Sequence, residues 1–431
     1  MSENIWDVID FGSFEFHPEG LARYLEYGYS VFEQTPVRHV RFLPPNARCH
    51  VTESGALQIE RLPDPVIDQL HTPSKVSDVV ETMKASVRQW EASTDSPLVL
   101  PLSGGLDSRF LLWLLNDKSR VRAFTYGGAP RQDQSHEVVM AGALSKIAGI
   151  SWQHIELGAF HRFLEPWIDL FGPATHAHGM YQMEFYDRIL QQIPAGAPLL
   201  SGIIGDAWAG SVVIPPIHHP SGLPLLGYSH GMHANPSRSL LRHNGELAEA
   251  HFTAEREKLR DPLYRVVAAM RYKMMLLRYL LEVPRAMGYQ PWTPFLDSKT
   301  ALLMLNLPAS LRADRKWQRD LFEAEGLALE KMTLSFSRAN TLNSQAIAIL
   351  PPPRLRVDLL REIIKPSYVE WINRTLPADG PFVSLYHRVL STPKIKGVMK
   401  CLGCRNYQSE AYAAYLTLKP LEQLIEKRNQ A

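Results

Sequence analysis

Cysteine is scarce: 431 residues contain only Cys49, Cys401 and Cys404, too few for a disulfide framework and in keeping with a reducing compartment. Cys401 and Cys404 make one CxxC pair with no second pair nearby, which reads either as a zinc or redox pair or as a chance spacing on a C-terminal helix. An excess of one charge is also missing. The 46 basic and 44 acidic residues leave a net charge of +2, so nothing calls for nucleic acid or an anionic membrane as the main partner. No stretch reaches about 18 uninterrupted apolar residues, and the opening MSENIWDVIDFGSFEF lacks the basic flank and apolar core of a leader. A cytoplasmic protein is expected. The 16 histidines show no metal spacing; His218, His219, His230 and His233 fall in a Pro, Gly, His and Ser-rich stretch, 215–239, that reads as a long loop. The Walker A spacing G-x-x-x-x-G-K-[ST] is absent, which removes P-loop phosphoryl transfer.

What is present is an ordinary globular composition, 45% apolar and 21% charged, long enough for two or three domains. The stretch from Leu98 to Leu115, LVLPLSGGLDSRFLLWLL, organises the rest. Leu98 to Leu102 reads as a buried parallel strand and Phe110 to Leu115 as an apolar helix. Between them, Gly104 and Gly105 allow a tight bend whose N–H groups face outward at the positive end of the helix. Ser103 and Ser108 add hydroxyl donors, and Asp107 a carboxylate able to hold Mg²⁺ against phosphate oxygens. A glycine turn without a ligand is the alternative reading.

Further along, 76–92 reads as a helix, 121–126 as a strand, 135–148 as a helix and 152–157 as a strand. Glu19 to Phe32 reads as an amphipathic helix, and 41–62 as two strands joined at Glu53-Ser54-Gly55. Strand and helix in alternation predict an α/β fold, a parallel sheet with helices on both faces, followed by a helical C-terminal part. The stretch PLLSGIIGDAWAG, 198–210, repeats the strand, turn and helix pattern and brings a second carboxylate, Asp206, to the mouth of the sheet. Asp206 also reads as a helix N-cap.

The hexapeptide SGGLDS resembles the pyrophosphate loop of the ATP pyrophosphatases, and with its apolar helix it looks most like the synthetase domain of glutamine-dependent asparagine synthetase. LARYLEYGYS and RFLPPNARCHV resemble the segment leading into that domain, PLLSGIIGDAWAG its second signature, and Pro294-Phe295-Leu296-Asp297 its PFLD word. The resemblance covers roughly residues 20 to 345. It implies an adenine-nucleotide α-hydrolase-like fold with ATP and Mg²⁺ as cofactors. Leu102, Ser103, Gly104, Gly105, Asp107, Ser108 and Gly202 would bind the phosphates, Asp107 and Asp206 the metal, and Phe124, Thr125, Tyr126 and Gly127 the adenosine. Each of the last four reads equally as strand-end packing. Lys316, with Arg315 as understudy, would meet the pyrophosphate, as cations aimed at developing charge do; a solvated helix face is its alternative. The family's further lysine has no clean counterpart, Lys331 lying too early and Arg338 or Asn340 nearest.

Three domains are expected: a lead-in over 1–75, the ATP-binding domain over 76–350 and a helical segment over 351–431. The family's glutaminase domain has no room, since about 100 residues precede the loop and a domain of that kind takes about 200; residue 2 is Ser2 where the glutaminase has its cysteine. The resemblance implies an AMP-forming carbon–nitrogen ligase that activates a small-molecule or peptide carboxylate for attack by ammonia or an amine. A separate glutaminase or substrate-carrier protein is a possible partner. Ile203 and Ala207 stand where the family has acidic residues, which tilts the substrate away from aspartate. The other readings are a peptide or β-lactam-type cyclase, a catalytically silent nucleotide-binding subunit, and a tRNA-modifying ATP pyrophosphatase, the last weakened by the near-neutral charge.

Overall fold

The computed structural model describes residues 1–227, 231–377 and 405–431. Cys401, Cys404 and His230 lie outside the described residues. The predicted lead-in strands form a hairpin, β1 (Ala47–Val51) and β2 (Leu57–Arg61), with Ala47 opposite Arg61. Both faces of the hairpin are largely exposed, and Asp64 just beyond it is held by Arg271 and Asn46.

Five further strands make one parallel sheet: β3 (Leu98–Pro101), β4 (Val121–Thr125), β5 (Ser151–His154), β6 (Pro198–Leu200) and β7 (Gln290–Trp292), in the order β5-β4-β3-β6-β7. Val99 of β3 sits at the centre, paired with Arg122 on one side and Leu199 on the other. Successive residues of a strand point to opposite faces, and two cores result. Val99, Phe124 and Leu199 enter one, with helices Pro18–Tyr27, Leu164–Phe171 and Met180–Leu190. Leu98, Leu100, Val121, Ala123 and Leu200 enter the other, with helices Val76–Ala92, Leu106–Leu114, His136–Ala148 and Pro262–Leu277. The expected α/β sheet covered on both faces is therefore present.

Some elements differ from expectation for visible reasons. The helix expected over Glu19 to Phe32 spans Pro18–Tyr27 and stops at Gly28, whose φ is +78°. The strand expected over 152–157 stops at His154, because side chains take over the backbone pairing: Gln132 bonds both the N–H and the carbonyl of Leu157, and Glu184 accepts from Gly158 N. β7 had no strand signal, being three residues long with Pro291 in the middle, a composition tolerated at a sheet edge.

The last helix, Tyr407–Gln430, is built into the first core rather than laid on its surface. Pro420 within it cannot donate to the carbonyl of Leu416, and Ala177 N does so instead at 3.0 Å; Tyr24 Oη donates to the next carbonyl, Thr417, at 3.0 Å. Among the described residues, no helix is long and apolar enough to cross a membrane.

Because β3 has β4 on one side and β6 on the other, the chain reverses its direction of travel across the sheet between β3 and β6. In open parallel sheets ligands bind at the carboxyl ends of the strands at such a point. The loops after β3 and β6 are the two that carry Asp107 and Asp206.

Candidate functional site

At the end of β3 the chain turns through Gly104 and Gly105 into the helix Leu106–Leu114, with Gly105 as its N-cap. Gly104 has a φ of +68°, and a Cβ there would stand 2.4 Å from Met140 Cβ and 2.8 Å from Ala141 N. The loop thus lies directly on the helix His136–Ala148, and only glycine fits. Gly104→Ala is expected to lower the unfolding free energy by about 2–4 kcal/mol, from left-handed strain and overpacking together, measured by urea denaturation.

Gly105 faces the other way: a Cβ there would meet only Ser103 Oγ, at 3.1 Å. The hydrogen bonds inside the loop are long, Ser103 N to Ser108 Oγ at 3.3 Å, Gly105 N to Ser103 Oγ at 3.3 Å and the two hydroxyls at 3.2 Å. Donors held so loosely can turn to a stronger acceptor such as a phosphate oxygen.

Arg109, the residue after the hexapeptide, was not singled out in the sequence and proves to be the loop's anchor. Its side chain is 1% exposed. It donates to Gly104 O at 2.8 Å and Leu327 O at 2.9 Å, and makes a two-pronged pair with Glu330 at 2.9 and 3.0 Å.

Asp107 points from the first turn of this helix toward Asp206, which stands in the short helix Gly205–Ala209 after β6. Gly205 permits the approach, since a Cβ there would lie 2.9 Å from Asp107 Oδ1 and 2.8 Å from the Phe295 ring. Burial pushes the Asp107 carboxyl up to about 6; the Arg315 guanidinium opposes this and the Asp206 charge adds to it. Arg315 is ion-paired to Asp107 and also donates to Gln318 Oε1 at 2.7 Å. A half-buried carboxylate with a second one facing it favours a cation between them.

Three non-glycine residues with left-handed backbones surround this pair: Ile204 (φ +54°), Asp314 (φ +48°) and Arg315 (φ +56°). Such conformations cost about 1–3 kcal/mol each, most for a β-branched residue like Ile204, and persist where packing enforces them. Here they turn Arg315 inward. Of the two neighbouring cations Arg315 lines the cleft, whereas Lys316 is 55% exposed, pairs with Asp320 and does not line it.

The cleft above the strand ends has a volume of about 910 Å³. Leu102, Ser103, Gly105, Asp107, Ser108, Phe124, Thr125, Tyr126, Gly202, Asp206, Arg315 and Arg338 all line it, so residues from five separate stretches meet there. Gly104 and Gly127 do not line it. Each supports the wall from behind, Gly127 because a Cβ would lie 2.3 Å from both Gln132 O and Ser135 Oγ. Thr125 is present but committed, its hydroxyl donating to Leu102 O and accepting from Trp152 Nε1 at 2.9 Å. Arg338 and Asn340 lie on a loop that closes over the end of β4, where Thr341 N donates to Gly128 O at 2.7 Å. Lys331 is paired with Glu323 at an exposed position, outside the cleft.

The structure also brings in residues that carried no motif. Lys273, from the helix Pro262–Leu277, lines the cleft near Asp206; burial lowers its ammonium pKa and the Asp206 carboxylate opposes that shift. Tyr181, Gln182, Phe185 and Tyr186 line it from the helix Met180–Leu190. Nothing in their local sequence separates them from core residues at helical spacing. The PFLD word is structural: Asp297 Oδ1 accepts from Thr300 N at 2.8 Å as a helix cap, and the fully buried Phe295 lies under Gly205 and Asp107. Among the described residues, no three His, Cys, Asp or Glu side chains converge as a metal cluster. Compared with known protein families the chain matches none, and it has no match among curated proteins.

Proposed function

We propose that this chain is an ATP-dependent, AMP-forming ligase of the asparagine synthetase type, with a PP-loop fold, acting in the cytoplasm. The observation that carries the reading is the half-buried Asp107 facing Asp206 and Arg315 at the reversal point of a parallel sheet, beside a loop of loosely bonded donors. Asp107 and Asp206 would hold Mg²⁺, which supplies charge neutralisation between the phosphates of ATP. The loop residues Ser103, Gly105 and Ser108 would donate to the terminal phosphates. Phe124, Tyr126 and the Arg338 loop would border the adenosine.

In the first step an oxygen of the substrate carboxylate attacks the α-phosphorus, the bond from that phosphorus to the bridging oxygen breaks, and pyrophosphate leaves. Arg315 would leave Asp107 for the pyrophosphate, drawn by the charge that grows there. Lys273 would lie near the new acyl-phosphate linkage, in place of the lysine that the family carries further along. In the second step ammonia or an amine attacks the acyl carbon, loses a proton, and AMP departs. The nitrogen would come from a free amine, from ammonia, or from a separate glutaminase; a carrier protein could deliver the acid.

Two outcomes are expected. Labelled pyrophosphate should exchange into ATP in the presence of one carboxylic acid from a panel, and Asp107→Ala should abolish that exchange. Exchange that persists in Asp107→Ala, or the absence of Mg·ATP binding to the wild type, would overturn the reading. Second, the affinity for Mg·ATP should fall as the pH drops through about 6, by about tenfold per pH unit below it, because only the ionised Asp107 ligates metal. Titration of a fluorescent ATP analogue between pH 5 and 8 measures this. A silent nucleotide-binding subunit is the second reading, favoured by the absence of Lys316 and Lys331 from the cleft, and binding without exchange for any acid would select it.

A further inference from the structure

The part of the cleft beyond Asp206 is walled by apolar and aromatic side chains from two helices and the turn after β6. Resting on the ligase reading, we propose that this part takes a carboxylic acid with an apolar body at least the size of a phenyl ring and no second charge beside its carboxyl group.

Ile203 and Met270 form one wall, each buried against the second core, with Leu277 continuing it along the helix Pro262–Leu277. Tyr181 and Tyr186 form the other. Their rings are fixed by neighbours, Tyr181 at 5.5 Å from the Tyr126 ring and Tyr186 at 5.2 Å from Phe185. The Tyr181 hydroxyl meets that of Tyr279 at 3.3 Å, and this side also carries Gln182 and His178, whose ring lies 5.4 Å from that of Tyr181.

Of the charged groups lining the cleft, Lys273 shares the helix face of Met270 and Leu277 and is coupled to Asp206; the others lie away from this wall. Asp107 is paired with Arg315, and Asp206 and Lys273 face one another at the phosphate end. Glu137 begins the helix His136–Ala148 beside the loop, and Arg338 lies on the β4 side. An α-ammonium or α-carboxylate placed against Ile203, Leu277 and the Tyr186 ring would exchange water for few polar partners, since Lys273 is already matched by Asp206, and this is unfavourable. An aryl or alkyl body in the same place would lose only apolar contact with water, and the rigid aromatic wall offers it edge-to-face packing. The carboxyl end would then be the one polar part of the acid, aimed at Asp206, Lys273 and the α-phosphate.

The test is equilibrium binding by calorimetry to the full chain loaded with Mg²⁺ and the non-cleavable α,β-methylene analogue of ATP, using 4-phenylbutanoate and aspartate as probes. A preference for 4-phenylbutanoate on the order of 100-fold is expected, the scale on which an apolar pocket discriminates. Ile203→Glu and the more exposed Leu277→Gln should each reduce that preference at least tenfold while the analogue's own affinity stays within about twofold; the second variant stands in if the first does not fold. Aspartate binding as tightly as 4-phenylbutanoate, or neither acid binding the loaded protein, would overturn the substrate assignment with the ligase reading intact. Failure of the analogue itself to bind, seen in its separate titration, would instead remove the ligase reading and this inference with it.

Discussion

Asp107→Asn should lose carboxylate-dependent pyrophosphate exchange by on the order of 10³-fold, while the protein without nucleotide changes its pH dependence of stability in the opposite sense. The first effect follows, on the proposed function, from removing a charged group that would meet the metal and the phosphates, where electrostatic contributions are largest. The second follows from linkage. The folded carboxyl, pushed up to about 6 from an ordinary 3.8, binds protons more tightly than the unfolded one. Stability conferred by the protonated form is fully present below about 4 and is lost as the pH rises through about 6. Asparagine does not titrate. Between pH 4 and pH 7 the unfolding free energy of the wild type should therefore fall, relative to that of Asp107→Asn, by about 2–3 kcal/mol. Parallel urea titrations at the two pH values check it; an unchanged difference would mean that Asp107 is not perturbed in the folded chain.

Arg109→Ala should be among the most destabilising substitutions in the loop, by about 3 kcal/mol or more. The guanidinium is buried and serves Gly104 O, Leu327 O and Glu330 together. Its removal leaves two carbonyls without donors, at about 1–3 kcal/mol each if water does not reach them, and a cavity in the second core. Glu330, with a side chain 45% exposed, can be rehydrated and contributes less. Arg109→Lys should rescue little, since an ammonium cannot span the same fork of acceptors. On the proposed function the consequence is direct, because Gly104 O belongs to the loop proposed to bind phosphate. Thermal unfolding gives the stability, and nucleotide titration of the surviving folded fraction should show weakened binding. A loss below 1 kcal/mol would contradict the role assigned to Arg109.

The regular parts of this fold were legible where the chain repeats a simple pattern. The helix over 76–92 and the strands at 98 and 121 appear at or within a residue of their expected bounds, because continuous apolar runs and helical spacing are local properties. SGGLDS and the Asp206 turn were legible because each is a short word that must form its turn almost alone. Lys273, Tyr181 and Tyr186 were not, since they reach the cleft from helices whose sequences look like any other amphipathic helix. That Arg315 rather than Lys316 lines the cleft was not legible for a subtler reason. Two successive left-handed residues, Asp314 and Arg315, rotate the chain just before the helix, and neither is a glycine that would announce it. The terminal helix looked uninformative because its importance lies in contacts with distant residues: Leu416 O, left without a donor by Pro420, accepts from Ala177, and Thr417 O accepts from Tyr24.

The central claim concerns which bond of ATP is broken and by what. The most direct measurement incubates the chain with Mg·ATP, hydroxylamine as the amine, and each acid of a panel that includes 4-phenylbutanoate and aspartate, and identifies the nucleotide and acyl products together. The account predicts AMP, pyrophosphate and an acyl hydroxamate in equal amounts with one acid, and none of them with Asp107→Asn. ADP and inorganic phosphate, or no consumption of ATP with every acid, would contradict it.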